Sequence, residues 1–314
     1  MKIIQNFSSK KHIKEFPIMD ILIWYLGLIK LKAFGYTIKL YCEKKDYEFL
    51  KHWGLFDLYD EIDDIFMSEN YLINNDIING TCFWSKRKLE CIKHEFETGD
   101  EPFIYMDTDI IINMPFDISE DIDLIAWSPE TQEKIYIPWQ HLSIPKGYKM
   151  PEYIYKTEGA YNCGVLYFKT KQQFLDYRKQ YINYTMGNPC ETRGVTAWDE
   201  TIRNIWACNA EQRILKAIAE HENWNVKLIM DQQAPGACDF GIHYYYLRGF
   251  WRLLGIPDFL KEEEKAYWTE LLNFQLAQLL DILAAVDREA LFRFLEIDWV
   301  KDFYENKKMI TEYR

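Results

Sequence analysis

Phe103-Ile-Tyr-Met-Asp107-Thr108-Asp109-Ile-Ile-Ile112 is the stretch on which the reading of this chain turns. A run this apolar predicts a buried strand, yet it carries two carboxylates. Strand residues i and i+2 point to one side, so Asp107 and Asp109 aim together if the strand persists through them. Unpaired carboxylates inside such a run cost on the order of several kcal/mol each. A divalent cation removes that cost, because carboxylates are hard ligands for Mg2+ or Mn2+, and the cation can in turn hold a diphosphate. In open α/β sheets, ligands lie beyond the carboxyl ends of the strands, which is where this pair would sit.

Working outward, Lys2 to Phe7 reads as a first strand. Pro17 to Phe34 reads as an apolar helix that Gly35 stops. Thr37 to Cys42 is a second strand, Asp46 to His52 a short helix, and Tyr59 to Phe66 contains a third strand. Trp84 to Phe96 is a helix rich in Lys and Arg, and Pro102 to Asn113 a strong strand. This alternation is that of βαβ units and a parallel sheet. After residue 113 the rhythm changes: Ile122 to Trp127, Gly164 to Phe168 and Trp224 to Met230 are strands, and Phe174 to Tyr184 and Glu211 to Glu222 are helices. Beyond Pro257 the pattern is helical and amphipathic, in two pieces, Lys261 to Ala285 and Arg288 to Asn306.

Bulk properties narrow the classes. Hydrophobic residues make up 48% and charged residues 27% of the 314, a globular composition. The net charge of −12 gives no concentrated basic face for a nucleic-acid backbone, so no nucleic-acid partner is expected. The acidic runs Asp57–Asp64 and Asp117–Asp123 read as solvated faces. Aromatics reach 17%, which suits a large aromatic core, with some rings free to stack on sugars. The seven cysteines are odd in number and form no C-x-x-C pair, which argues for reduced thiols in a cytoplasmic setting and against a zinc site. No secretory signal opens the chain. Its most apolar segment, Ile21 to Ile29, is far shorter than the ~20 residues a membrane span needs, so membrane contact is at most peripheral.

Three later segments complete a pattern: Ala160-Tyr-Asn162-Cys163-Gly164-Val-Leu166, Asn209-Ala-Glu211-Gln212-Arg-Ile-Leu215, and Gly241-Ile-His243 through to Trp251. With the acidic pair, their order and spacing resemble GT-A fold glycosyltransferases of the glycogenin and lipopolysaccharide-galactosyltransferase type, bacterial nucleotide-diphospho-sugar transferases among them. The resemblance covers about residues 1 to 251. It implies a Rossmann-like mixed sheet flanked by helices over 1–251, with a helical C-terminal extension over 252–314. Asp107, Asp109 and His243 become ligands of Mn2+ or Mg2+, and Asn162 and Cys163 line a donor-sugar pocket. Read without the family, Cys163 is a small packing residue. Glu211 and Gln212 sit at a helix start facing the sugar, although a Glu there also satisfies the helix dipole without any function. The family has Asp where Glu211 stands. In the final loop Tyr246, Gly249 and Phe250 replace its glycine, lysine and proline, and Arg248 is the substitute cation. Lys86, in Trp84-Ser-Lys86-Arg87, is a second basic residue for nucleotide or phosphate; the plain alternative is an exposed helix face.

The expected activity is metal-dependent transfer of a sugar from a nucleoside-diphosphate donor, a UDP-sugar by preference, to a hydroxyl of a glycan or other acceptor, with retention. If the reaction inverts instead, it needs a carboxylate base, and Asp199 or Glu200 in Ala197-Trp-Asp-Glu200 is the candidate. The rival reading is a non-catalytic relative that binds or scaffolds within a glycan-assembly complex. A nucleotidyltransferase would want a glycine-rich loop after the first strand, and Phe7-Ser-Ser-Lys-Lys11 has no glycine. Composition leaves the oligomeric state open.

Overall fold

The structure, a computed structural model, describes residues 1–7, 18–64, 85–99, 101–131, 135–142, 144–145, 147–185, 205–230, 241–243, 274, 277, 280–281, 283–285 and 287–306, with the backbone alone at 18–19, 241–243, 299 and 306. The first half is built from β1 (Lys2–Asn6), α1 (Ile18–Ala33), β2 (Thr37–Tyr41), α2 (Tyr47–His52), β3 (Glu61–Asp63), α3 (Ser85–Thr98), β4 (Phe103–Met106) and β5 (Ile110–Ile112). The second half holds β6 (Leu124–Ala126), β7 (Pro129–Glu130), α4 (Glu152–Lys156), β8 (Ala160–Tyr161), β9 (Val165–Phe168), α5 (Lys171–Thr185), α6 (Ile214–His221), β10 (Val226–Leu228), β11 (Gly241–His243), α7 (Arg288–Leu295) and α8 (Asp298–Asn306).

Among the described residues, seven strands form one mixed sheet in the order β10-β6-β9-β4-β1-β2-β3. The early strands β4, β1, β2 and β3 pair in parallel, as the alternation of strand and helix requires. β9 enters antiparallel to both β4 and β6, and β10 is parallel to β6. The expected α/β architecture with a mixed sheet flanked by helices is therefore the observed one. Period-2 alternation sends Ile3, Ile38, Leu40, Ile104 and Met106 into a core beneath α1, and Ile4, Tyr41, Phe103 and Tyr105 into a second core with α3 and α5. Covered on both faces, β4 reads as an unbroken apolar run, while β1 and β2 carry the buried polar residues Gln5 and Lys39 among their apolar ones. α1 is closed as expected by Gly35, whose φ of 77° belongs to the left-handed region that glycine tolerates.

Glu61–Asp63 lies inside the stretch expected to contain the third strand. Three boundaries differ from the sequence reading. Pro102 to Asn113 is not one strand. β4 ends at Met106, the chain turns through Asp107, Thr108 and Asp109, and β5 pairs antiparallel with β11 in a separate two-stranded sheet. The Ile110 N–H donates to the Asp107 carbonyl at 3.3 Å across this turn, which suits aspartates as turn formers. Thus the i, i+2 strand rule does not set the relation between the two carboxylates. The helix expected to open at Glu211 is already helical at 205–208 and passes through a π turn at Asn209–Arg213 before α6. The piece expected over Arg288 to Asn306 is two helices, α7 and α8.

The C-terminal helices share the core of α1. The Tyr25 hydroxyl donates to Oδ2 of Asp287 at 2.7 Å, while Oδ1 of the same residue caps α7 by accepting from the Ala290 N–H at 2.9 Å. Phe294 is fully buried, stacks on Trp53 at 5.8 Å and meets Tyr25 edge-on at 5.6 Å. The boundary expected at 251 lies outside the described residues. Among the described residues, no helix is long and apolar enough to cross a membrane. Phe294→Ala is expected to remove about 3–5 kcal/mol of stability, read as a lowered midpoint in urea or thermal unfolding.

Candidate functional site

Lys88 lies on the face of α3 that is turned to the sheet, 3% exposed in its side chain. Its Nζ stands 3.3 Å from both carboxylate oxygens of Asp107. It also stands 2.9 Å from Oε1 of Glu211, donates to the Cys163 carbonyl at 2.8 Å, and sits 5.0 Å above the Tyr105 ring. One ammonium thus gathers the end of β4, the bend between β8 and β9, and the π turn before α6.

Among the described residues, one cation faces two carboxylates. Burial works against the charge on Lys88, but Asp107 and Glu211 outweigh it and hold the ammonium above the ordinary lysine range. Burial pushes Glu211 up to about 7, with Lys88 opposing and Asp107 adding to the rise. Glu211 is fully buried, and Lys88 meets it as an ion pair rather than through a directed hydrogen bond, so neither carboxylate oxygen has a hydrogen-bond partner among the described residues. Glu95, elsewhere on α3, shows how the same fold handles a structural carboxylate. It takes Lys2 at 2.9 Å, Lys39 at 3.0 Å and the Tyr41 hydroxyl. Burial raises it, yet those bonds prevail and hold it below its usual range. A buried carboxylate left under-satisfied beside a charge partner marks a candidate site on physical grounds.

Asp107 is fixed at its backbone. Its N–H donates to the Gly164 carbonyl at 2.8 Å and its carbonyl accepts from Nε2 of Gln5 at 3.5 Å. The Tyr105 hydroxyl lies 2.9 Å from its Oδ1 and also against Oδ1 of Asn6. Asp109, two residues on, is 8% exposed. The backbone of His243 stands directly opposite Ile110 in the β5–β11 pair, one residue beyond Asp109. Asn162 is held by four bonds: Nδ2 to Glu130 Oε1 at 3.1 Å, Oδ1 from the Gly164 N–H at 2.9 Å, and backbone bonds to Trp127 and Ser128. Cys163 is fully buried and its thiol donates to the Tyr161 carbonyl at 3.4 Å; burial raises its pKa well above the usual value. Gln212 accepts from the Tyr136 hydroxyl, and the Tyr177 hydroxyl donates to the Glu211 carbonyl at 2.9 Å.

Glu211 and Gln212 lie inside the π turn. Helix-dipole stabilisation at a first turn therefore does not account for Glu211; its partner is Lys88. Single π turns within α-helices recur at functional sites. Lys86 is buried on α3 rather than on an exposed face, but the residue that reaches Asp107 is Lys88. Sequence reading missed Lys88, Tyr105, Glu130 and Tyr136. A signal existed for Tyr105, two residues before Asp107. None separates Lys88 from Lys86 without tertiary contacts. Asp199, Glu200, Arg248 and Trp251 lie outside the described residues. Among the described residues no three His, Cys, Asp or Glu side chains group as a metal site. The donor chemistry itself, two carboxylates on one turn with a histidine strand paired beside it, fits a hard divalent cation.

Fold and site define an α/β protein with a buried acidic centre at the carboxyl end of its fourth strand. Residues 1–244 match the model described as "Family of unknown function (DUF6734)", and the chain belongs to that family. No curated protein matches its sequence. Among solved structures it is similar to "PaToxG Glycosyltransferase" at 12% identity, covering 87% of this chain and 85% of that one with a TM-score of 0.39. It is also similar to mouse xyloside xylosyltransferase 1 in its apo form, at 12% identity, 72% and 84% coverage and a TM-score of 0.39.

Lys88→Met leaves the buried Glu211 and the half-buried Asp107 without this cation and is expected to cost about 3–5 kcal/mol at neutral pH, measured by urea unfolding. Glu211 is raised in the folded state, so the stability it contributes is full below pH 4.5 and is lost as pH rises towards about 7. The stability of the native chain minus that of Glu211→Gln should accordingly fall across this window, by at most about 1.4 kcal/mol per pH unit.

Proposed function

We propose that this chain is a metal-dependent glycosyltransferase that takes a nucleoside-diphosphate sugar, a UDP-sugar by preference, and passes the sugar to a hydroxyl of a glycan or other acceptor. One observation carries the reading. The acidic turn, the Asn162–Cys163 bend and the Glu211–Gln212 turn are far apart in sequence yet converge on the Lys88 ammonium. A buried ion cluster serving only as core packing gains little over apolar residues. Its position at the carboxyl end of β4 is that of ligand sites in open α/β sheets.

Asp107, Asp109 and His243 would hold Mn2+ or Mg2+, which when bound supplies positive charge to the departing diphosphate. Lys88 orients Asp107 while the donor enters. Glu211, under-satisfied and shielded from water, accepts from sugar hydroxyls. Gln212 stands near the reacting face, and Asn162 lines the donor-sugar pocket with Cys163. The glycogenin-like reading favours retention, with Asp199 as the base if the reaction inverts. Lys86 and Arg248 are the further cations assigned to the phosphates, and the reaction is assigned to the cytoplasm.

Calorimetric titration with UDP and a panel of UDP-sugars, with and without Mn2+, tests this. Metal-dependent binding is expected, and its absence across the panel would remove the proposal. Asp109→Asn should lose at least about a hundredfold in turnover with its circular dichroism unchanged. Full activity in that variant would show that the carboxylates have been given the wrong role.

A further inference from the structure

We propose that Gly27, in the middle of α1, is a positioning residue for the acidic turn, in that its missing side chain lets the helix set the depth of Ile110 and so of Asp109 and the strand bearing His243. This rests on the reading of the site as a metal and nucleotide clamp.

Three observations converge. A Cβ built on Gly27 would lie 2.8 Å from the carbonyl oxygen of Ile110, closer than real Cβ contacts allow, and the atom it meets is backbone. That backbone cannot swing aside as a side chain can, since β5 is tied to β11 with His243 opposite Ile110. Ile110, Ile111 and Ile112 are all fully buried against the α1 core. The immovable point is also next to the chemistry, because Ile110 follows Asp109 directly and its N–H closes the turn on the Asp107 carbonyl at 3.3 Å.

α1 is itself braced from behind. Tyr25, two residues before Gly27, is bonded to Asp287 and packed on Phe294. The helix therefore stands between the C-terminal helices and β5, and any added atom at position 27 pushes towards β5. Glycine is a poor choice for a helix interior, and alanine ordinarily improves one. At this position alanine would relieve the helix and displace the turn.

The test compares the native chain, Gly27→Ala and Leu28→Ala. The last removes core packing from the same helix without adding an atom towards Ile110. For each, thermal unfolding is followed without metal, and Mn2+ affinity is measured by electron paramagnetic resonance of the free ion, with and without UDP. Gly27→Ala is expected to bind Mn2+ with UDP about 10–100-fold more weakly, the usual effect of disturbing the support of a metal ligand, while Leu28→Ala binds as the native chain does. Equal affinity in Gly27→Ala and the native chain overturns the positioning role and leaves the clamp intact. Equal weakening in both variants also overturns it, because general loosening of α1 then explains the effect. Failure of the native chain itself to bind overturns the clamp and this inference with it. If Gly27→Ala does not fold, hydrogen exchange on the native chain decides. Mn2+ with UDP must slow exchange in α1 around Gly27 as well as at Ile110–Ile112, and an unchanged α1 refutes the coupling.

Discussion

The Lys88 ammonium is the constraint that the rest of the site depends on. Desolvating an ion costs several kcal/mol even after relaxation, so a lysine buried to 3% has to be answered by acceptors on every side. Asp107, Glu211 and the Cys163 carbonyl answer it. Each comes from a different stretch of chain, so the requirement acts on the fold as well as on one side chain. The end of β4, the bend before β9 and the π turn before α6 must approach within hydrogen-bond reach of one atom. Among the described residues the two carboxylates then outnumber the one cation, and the surplus stays on Glu211.

That surplus separates this cluster from the other buried charges. Glu95 is also buried but receives two ammonium groups and a phenol, and its carboxyl is held low. Among the described residues Glu211 receives one ion pair and no directed hydrogen bond, and its carboxyl is held high. A fold that needed only stability would treat the two alike. The difference is explained if Glu211 is held ready for a polar ligand that completes its hydrogen bonds.

The second organising feature is the break after Met106. The main sheet ends its claim on the chain where the Asp107 N–H makes its bond to the Gly164 carbonyl, and the next three residues form a turn. β5 then belongs to a different sheet, held against α1 through the contact at Gly27 and joined to the strand that carries His243. The C-terminal helices complete this layer by covering α1. The acidic turn is thus bounded by the large sheet and α3 on one side and by a helix with its own bracing on the other.

The pattern of apolar residues was enough to place the strands and helices of the first half, because burial on both sheet faces leaves β4 wholly apolar and sets apolar residues at the centre of β1 and on either side of Lys39 in β2. It also singled out Asp107 and Asp109, since carboxylates within such a run demand a reason, while Asn162, Glu211, Gln212 and His243 were picked out by the resemblance to GT-A glycosyltransferases. What it missed depends on contacts between distant segments. Whether a strand continues through Asp107–Asp109 is decided by which neighbour is there to pair with it. Lys86 and Lys88 are two cations on one helix, and only the packing of α3 on the sheet aims one of them at Asp107. The surroundings of Glu211 were hidden for the same reason: local sequence offers a helix start, whereas its ion-pair partner Lys88 lies 123 positions earlier in the chain, on α3. Local free-energy preferences, burial above all, are written in sequence period and composition. The pairing of buried charges is not, because it depends on distances that exist only once the chain has folded.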